Sequence, residues 1–67
     1  MAPISRVPIR IRALRHKRGF SQAVLAKRAG LSREYVARLE AARHDPKLSV
    51  LERIAKALKV SVAELVK

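Results

Sequence analysis

The chain has 67 residues, no cysteine and 49% apolar side chains. That bounds it to one small domain with a core but without disulfide or thiolate–metal support. Sixteen lysines and arginines against five acids give a formal net charge of +11.

The charge is unevenly spread. Residues 1–33 hold nine basic side chains and no acid, whereas residues 34–67 hold seven basic and five acidic ones. A surface kept charged for solubility alone mixes the two signs. The imbalance therefore points to a polyanionic partner, nucleic acid before anionic membrane. Charge interrupts every apolar run, which argues against a membrane-spanning helix. The N-terminus lacks the apolar stretch of a signal peptide. A cytoplasmic location is expected, and the lack of cysteine suits it.

Residues 1–6, MAPISR, read as a flexible N-terminal arm, and residues 7–67 as the folded domain. Pro3 and Pro8 disfavour regular structure ahead of the first helix. Pro8 itself fits a first helical turn, where its missing N–H costs nothing. In VPIRIRALRHKR, Val7, Ile11 and Leu14 recur at helical spacing and form one apolar stripe. Gly19 stops that helix, and Phe20 is expected to plug the core. Ser21 is placed to cap a second helix, since its hydroxyl can accept a free first-turn N–H. This helix runs through about Ala29 and closes at Gly30. Ser32 caps a third helix that runs to about Ala41 or Ala42. A polar loop, RHDPK, leads to a fourth helix with Leu48, Leu51, Ile54, Ala55 and Leu58 on its apolar side. Ser61 and Glu64 have capping-box spacing for a short fifth helix, VAELVK. No run alternates at period two, so no strands are predicted. The expected fold is all-α: five compact helices.

The break at AGLS, residues 29–32, turns the chain sharply between the second and third helices. Gly30 permits the positive φ such a turn needs. Leu31 anchors the turn, and Ala26 is small where the two helices approach. Leu25, Ala26 and Ala29 face the core from one helix, Val36 and Leu39 from the other. This is a helix-turn-helix pattern: the first helix braces and the second is presented outward. Arg33, Glu34 and Arg38 lie on the outward face. An arginine can grip guanine O6 and N7 with two bonds, and a glutamate can accept from cytosine N4. The plain alternative is a solvated helix face. The turn ahead of these residues and the net charge of the chain favour base contact.

With IRALR (11–15), GFSQ (19–22), LAKRAGLS (25–32), the YVARLE run ending at Glu40, and IAKAL and VAEL between Pro46 and Leu65, the sequence resembles the Cro and lambda-repressor class of helix-turn-helix regulators, the XRE family. The resemblance spans about Val7 to Val66. It implies a compact lambda-repressor-like domain that binds double-stranded DNA. It also implies roles for single residues. Arg33, Glu34 and Arg38 match base-facing positions. Gln22 matches a position that contacts a phosphate or a nearby base, and joins the base-contacting candidates. Ser21, Ser32 and Tyr35 are candidates for the DNA backbone, and Arg43 and Lys47 flank a loop that lies near a phosphate. A helix N-terminus there favours an anion as well. Arg15 and Glu40 match a structural salt bridge. Two departures stand out. Ala41-Ala42 replaces the polar residue and glycine of many relatives, so the third helix is allowed to run longer. Tyr35 is bulky; it either stacks on sugar or a thymine methyl, or covers the helix.

Other chemistry finds little support. His16 and His44, without cysteine and with Asp45 as the single aspartate, make no quorum of metal ligands. No serine has a histidine and an acid arranged around it, so no catalytic residues, cofactor or metal are expected. Five short helices leave little volume for a small-molecule effector. Val24, Val50 and Val66 are expected to be exposed and, with the last helix, to support a weak homodimer assembled on DNA. The chain ends inside that helix, and no separate dimerisation domain is expected. The leading function is a sequence-specific transcriptional regulator, a repressor on an inverted-repeat operator. The alternatives are an antitoxin-like protein that binds a toxin and its own operon, a membrane-active basic peptide, and an RNA binder, which the scarcity of aromatics disfavours.

Overall fold

A computed structural model describes residues 6–67. The expected arm falls, except for Arg6, outside the described residues. Five helices follow in order: α1 (Val7–Arg18), α2 (Gln22–Ala29), α3 (Arg33–Glu40), α4 (Leu48–Leu58) and α5 (Val62–Val66). There is no strand among the described residues.

The helix starts follow the serines. Ser21, Ser32 and Ser61 each accept, through the side-chain oxygen, the backbone N–H three residues on, at 3.1, 3.1 and 3.4 Å. Pro8 sits in the first turn of α1. At α5 the Glu64 carboxylate turns to Arg10 and Lys67, so Ser61 carries the cap. α4 starts at Lys47, which makes no side-chain cap bond.

Four helix ends share one closing device, in which two backbone N–H groups reach back across a left-handed residue. At α1, Phe20 N bonds Arg15 O and Gly19 N bonds His16 O; at α2, Leu31 N bonds Ala26 O and Gly30 N bonds Lys27 O. At α3, Arg43 N bonds Arg38 O and Ala42 N bonds Leu39 O; at α4, Val60 N bonds Ala55 O and Lys59 N bonds Lys56 O. The left-handed residues are Gly19, Gly30, Ala42 and Lys59, with φ of 72, 70, 59 and 58°. The first two are glycines and the last two are not. Ala42 thus ends α3 at Glu40, short of the extension that Ala41-Ala42 allowed. The chain turns there by taking a conformation that costs a side-chain-bearing residue about 1 kcal/mol or more.

Ile11, Leu25, Val36, Leu39, Ile54, Leu58 and Leu65 are fully buried and join all five helices in one core. Leu14, Phe20, Leu31, Tyr35, Val50 and Val62 pack around them. The α4 stripe begins at Leu51, because Leu48 is 62% exposed. Its spacing is right, but it lies in the first turn of α4, where nothing among the described residues covers it. Val50, expected to be exposed, is instead half-buried against the core. Val24 and Val66 are exposed.

Three arginines of α1 tie it to three other helices. Arg10 donates from Nε to Glu64 O at 2.8 Å and from Nη2 to Glu64 Oε2 at 3.0 Å, reaching α5. Arg18 Nε donates to Leu58 O at 2.9 Å, at the end of α4. Arg15 pairs with Glu40, the last residue of α3. Part of the basic excess in the first half is therefore spent inside the molecule.

Ala42→Gly and Lys59→Gly are each expected to raise stability by about 0.5–1 kcal/mol, and Gly19→Ala to lower it by about 1 kcal/mol. Urea midpoints at unchanged slope measure this. No gain at either position would mean that these two ends are not left-handed in solution.

Candidate nucleic-acid interface

The outward face of α3 carries Arg33, Glu34 and Arg38, all exposed. None of the three side chains makes a hydrogen bond or ion pair among the described residues. The opposite side of α3 is fixed by Val36 and Leu39, buried to within 1%. The three polar groups are thus held out on a helix whose other face cannot roll. Tyr35 lies between the two faces. It is half-buried, with its ring edge-on to His44 at 4.9 Å between centroids.

The α2–α3 turn is closely packed and hydrogen-bonded. Ala26 is 2% exposed, and Leu31 N bonds Ala26 O at 2.8 Å. A Cβ built on Gly30 would meet Arg53 Nη2 at 3.0 Å, so the missing side chain leaves room for that guanidinium. Ser21 and Ser32 use their oxygens as acceptors for the caps, which leaves each hydroxyl hydrogen free to donate outward. Arg43 and Lys47 are exposed on either side of the α3–α4 loop. The Lys47 carbonyl takes the Val50 and Leu51 N–H groups, but its side chain offers no acceptor, so the N–H groups of Leu48 and Ser49 stay open at the positive end of the helix dipole.

Gln22 sits at the start of α2, where its Nε2 donates to Glu40 Oε1 at 3.2 Å. Its amide is engaged with the Arg15–Glu40 pair rather than pointed away from the body. That pair is nearly dry, with side chains 10% and 5% exposed. Arg15 Nε and Nη2 grip the two carboxylate oxygens at 2.6 and 2.9 Å, and Nη1 donates to Phe20 O at 2.9 Å. The hydrogen bond to Glu40 raises the Arg15 pKa against its burial. For Glu40, burial pushes the pKa up, but the bonds from Arg15 and Gln22 and the charges of Arg15 and Arg12 outweigh it. Glu40 therefore stays ionised below the usual carboxylate range.

Arg12 is a residue the sequence reading passed over. It is exposed and lines a shallow hollow with Gln22, Ala37, Glu40 and Ala41, beside the outward face of α3. A signal was present: Arg12 stands three residues before Arg15, and such positions are neighbours on a helix surface. Among the described residues no cluster of three or more His, Asp or Glu side chains is arranged to hold a metal ion. Among the described residues no helix is long and apolar enough to cross a membrane.

Glu40→Ala strands the Arg15 guanidinium and is expected to cost about 3 kcal/mol, whereas Arg15→Met with Glu40→Leu together costs less than either single change. The sign with pH follows from the depressed Glu40 pKa. Its contribution is present above the ordinary carboxylate value and lost as pH falls through the lower folded value. Denaturant titrations from neutral to acid pH are expected to show a shallower acid loss in Glu40→Gln than in the wild type. Equal loss in both would remove Glu40 as a source of acid sensitivity.

A family model described as a helix-turn-helix domain matches residues 9–66. The immunity repressor protein of Bacillus phage phi105 is 46% identical over 57 residues, covering 85% of this chain and 40% of that protein. The chain thus spans less than half the length of this curated relative. The P22 c2 repressor in its complex with a synthetic operator superposes with a TM-score of 0.84 at 34% identity, over 91% of this chain and 92% of that one. The restriction-modification controller protein C.AhdI from Aeromonas hydrophila gives 0.88 at 34% identity, with the same coverage of 91% and 92%. The chain belongs to the helix-turn-helix domain family, in its Cro and lambda-repressor branch.

Proposed function

We propose that this chain is a sequence-specific DNA-binding transcriptional regulator that acts as a repressor. The observation that carries the reading is the unpaired, outward set Arg33, Glu34 and Arg38 on a helix clamped from behind. In the major groove, Arg33 and Arg38 read guanine through O6 and N7, and Glu34 accepts from cytosine N4. The hydroxyls of Ser21 and Ser32, the side chains of Arg43 and Lys47 and the open N-terminus of α4 meet phosphate oxygens. Gln22 and Tyr35 reach DNA only at its nearest edge, since Glu40 and His44 already hold them. Neutralising phosphates releases counterions and supplies affinity; base contacts supply choice.

A two-fold pair of chains on an inverted repeat suits this geometry, and the exposed Val66 of α5 offers apolar area for a weak contact between them. Repression follows from occupancy of a promoter. The immunity repressor and the P22 c2 repressor among the relatives favour this reading over an antitoxin. No catalytic group is assigned.

Arg38→Ala is expected to weaken binding to a duplex selected from a random pool about tenfold or more, with little change on unselected DNA. Lys47→Ala is expected to weaken both alike and to reduce the salt slope by about one. Fluorescence anisotropy at several salt concentrations separates the two. The same loss on selected and unselected duplexes for both variants would overturn this division of labour.

A further inference from the structure

A second basic surface lies at the other end of α2. Gln22 begins α2 beside Glu40, while the last turn of α2 faces the last turns of α4 across an open hollow of about 560 Å³. Five cations line it: Lys27, Arg28, Arg53, Lys56 and Lys59, with no acid among the lining residues. All five side chains are exposed, and none is in an ion pair among the described residues. Arg28 lies over the Phe20 ring at 4.8 Å, and Arg53 occupies the space left open by Gly30.

Some positive charge belongs at helix C-termini, where the dipole is negative. Two such ends amount to about one negative charge together. At α4 that role is already filled by Arg18, which bonds Leu58 O at 2.9 Å and Lys59 O at 3.4 Å. Glu52, four residues before Lys56, offsets one more charge. A surplus of about three positive charges remains after both. The hollow has alanines but no aromatic or large apolar anchor. Protein interfaces are depleted in lysine and built on such anchors, whereas a phosphate backbone needs only flexible cations.

We propose that this hollow is a second phosphate-backbone site, by which the protein holds another duplex segment while α3 reads the first. The inference rests on the DNA-reading role of α3. None of the residues that line the hollow belongs to the outward set of α3, Arg33, Glu34 and Arg38, or to the groups proposed to meet its phosphates, Ser21, Ser32, Arg43 and Lys47.

A two-duplex capture tests it. A bead-bound duplex of about 30 bp and mixed sequence is saturated with protein, washed, and exposed to a second, fluorescent duplex at about 50 mM salt. The wild type is expected to retain the second duplex. Arg53→Glu with Lys56→Glu is expected to cut that retention about tenfold or more while binding to the first changes less than about twofold. Arg53→Gln with Lys56→Gln is expected to give an intermediate loss, which guards against misfolding of the charge-reversed protein. Binding of the first duplex with no capture of the second overturns the inference and leaves the proposed function standing. Failure to bind even the first duplex removes both. Capture that survives charge reversal would come from two α3 faces of a dimer and also overturns it, as does equal loss of both duplexes. Retention of a 20-residue oligoglutamate in place of the second duplex would reassign the hollow to an acidic protein segment.

Discussion

The Arg15–Glu40 ion pair is the contact on which the presentation of α3 depends. It joins the last turn of α1 to the last residue of α3, and a third Arg15 bond holds the Phe20 carbonyl in the α1–α2 loop. Gln22 adds the first residue of α2 to the same carboxylate. Such a pair gains little net stability, because desolvating two charges offsets most of their attraction. What it supplies is position. Four chain segments are tied together there by directional bonds, and Val36 and Leu39 fix the rest of α3 by burial. A recognition surface needs that kind of support, since an error of about an ångström wastes a bidentate contact.

The helix ends sort the charge of the molecule. The capping serines at the starts of α2 and α3, and the open start of α4, accompany the groups proposed to meet DNA. The closed ends of α2 and α4 gather lysines and arginines instead. A chain of formal charge +11 therefore has separate uses for its cations. Arg10, Arg15 and Arg18 are internal ties, Arg33 and Arg38 stand on the outward face of α3, and the hollow between α2 and α4 holds a further group.

The starts of α2, α3 and α5 were legible because serine caps through its own side chain, and the ends of α1 and α2 because glycine advertises positive φ. Ala42 and Lys59 adopt the same left-handed turn without a side chain that signals it. Leu48 has the spacing of a core residue, but spacing does not say whether anything lies opposite. Arg10 and Arg18 read as ordinary basic residues, since their partners are Glu64 and the backbone of Leu58, 54 and 40 residues away. The outward position of Arg33, Glu34 and Arg38 follows from helical phase alone. That Gln22 is held by Glu40 does not, because it needs the arrangement of α2 against α3.

Arginine side-chain NMR tests the central claim most directly. The Nε–Hε signals are followed in the free protein and with a duplex selected from a random pool. Arg15 is expected to give a protected signal that the duplex barely moves, while the exchange-broadened signals of Arg33 and Arg38 sharpen and shift on binding. An Arg15 signal as labile as the others in the free protein, or Arg33 and Arg38 signals indifferent to the duplex, would contradict it.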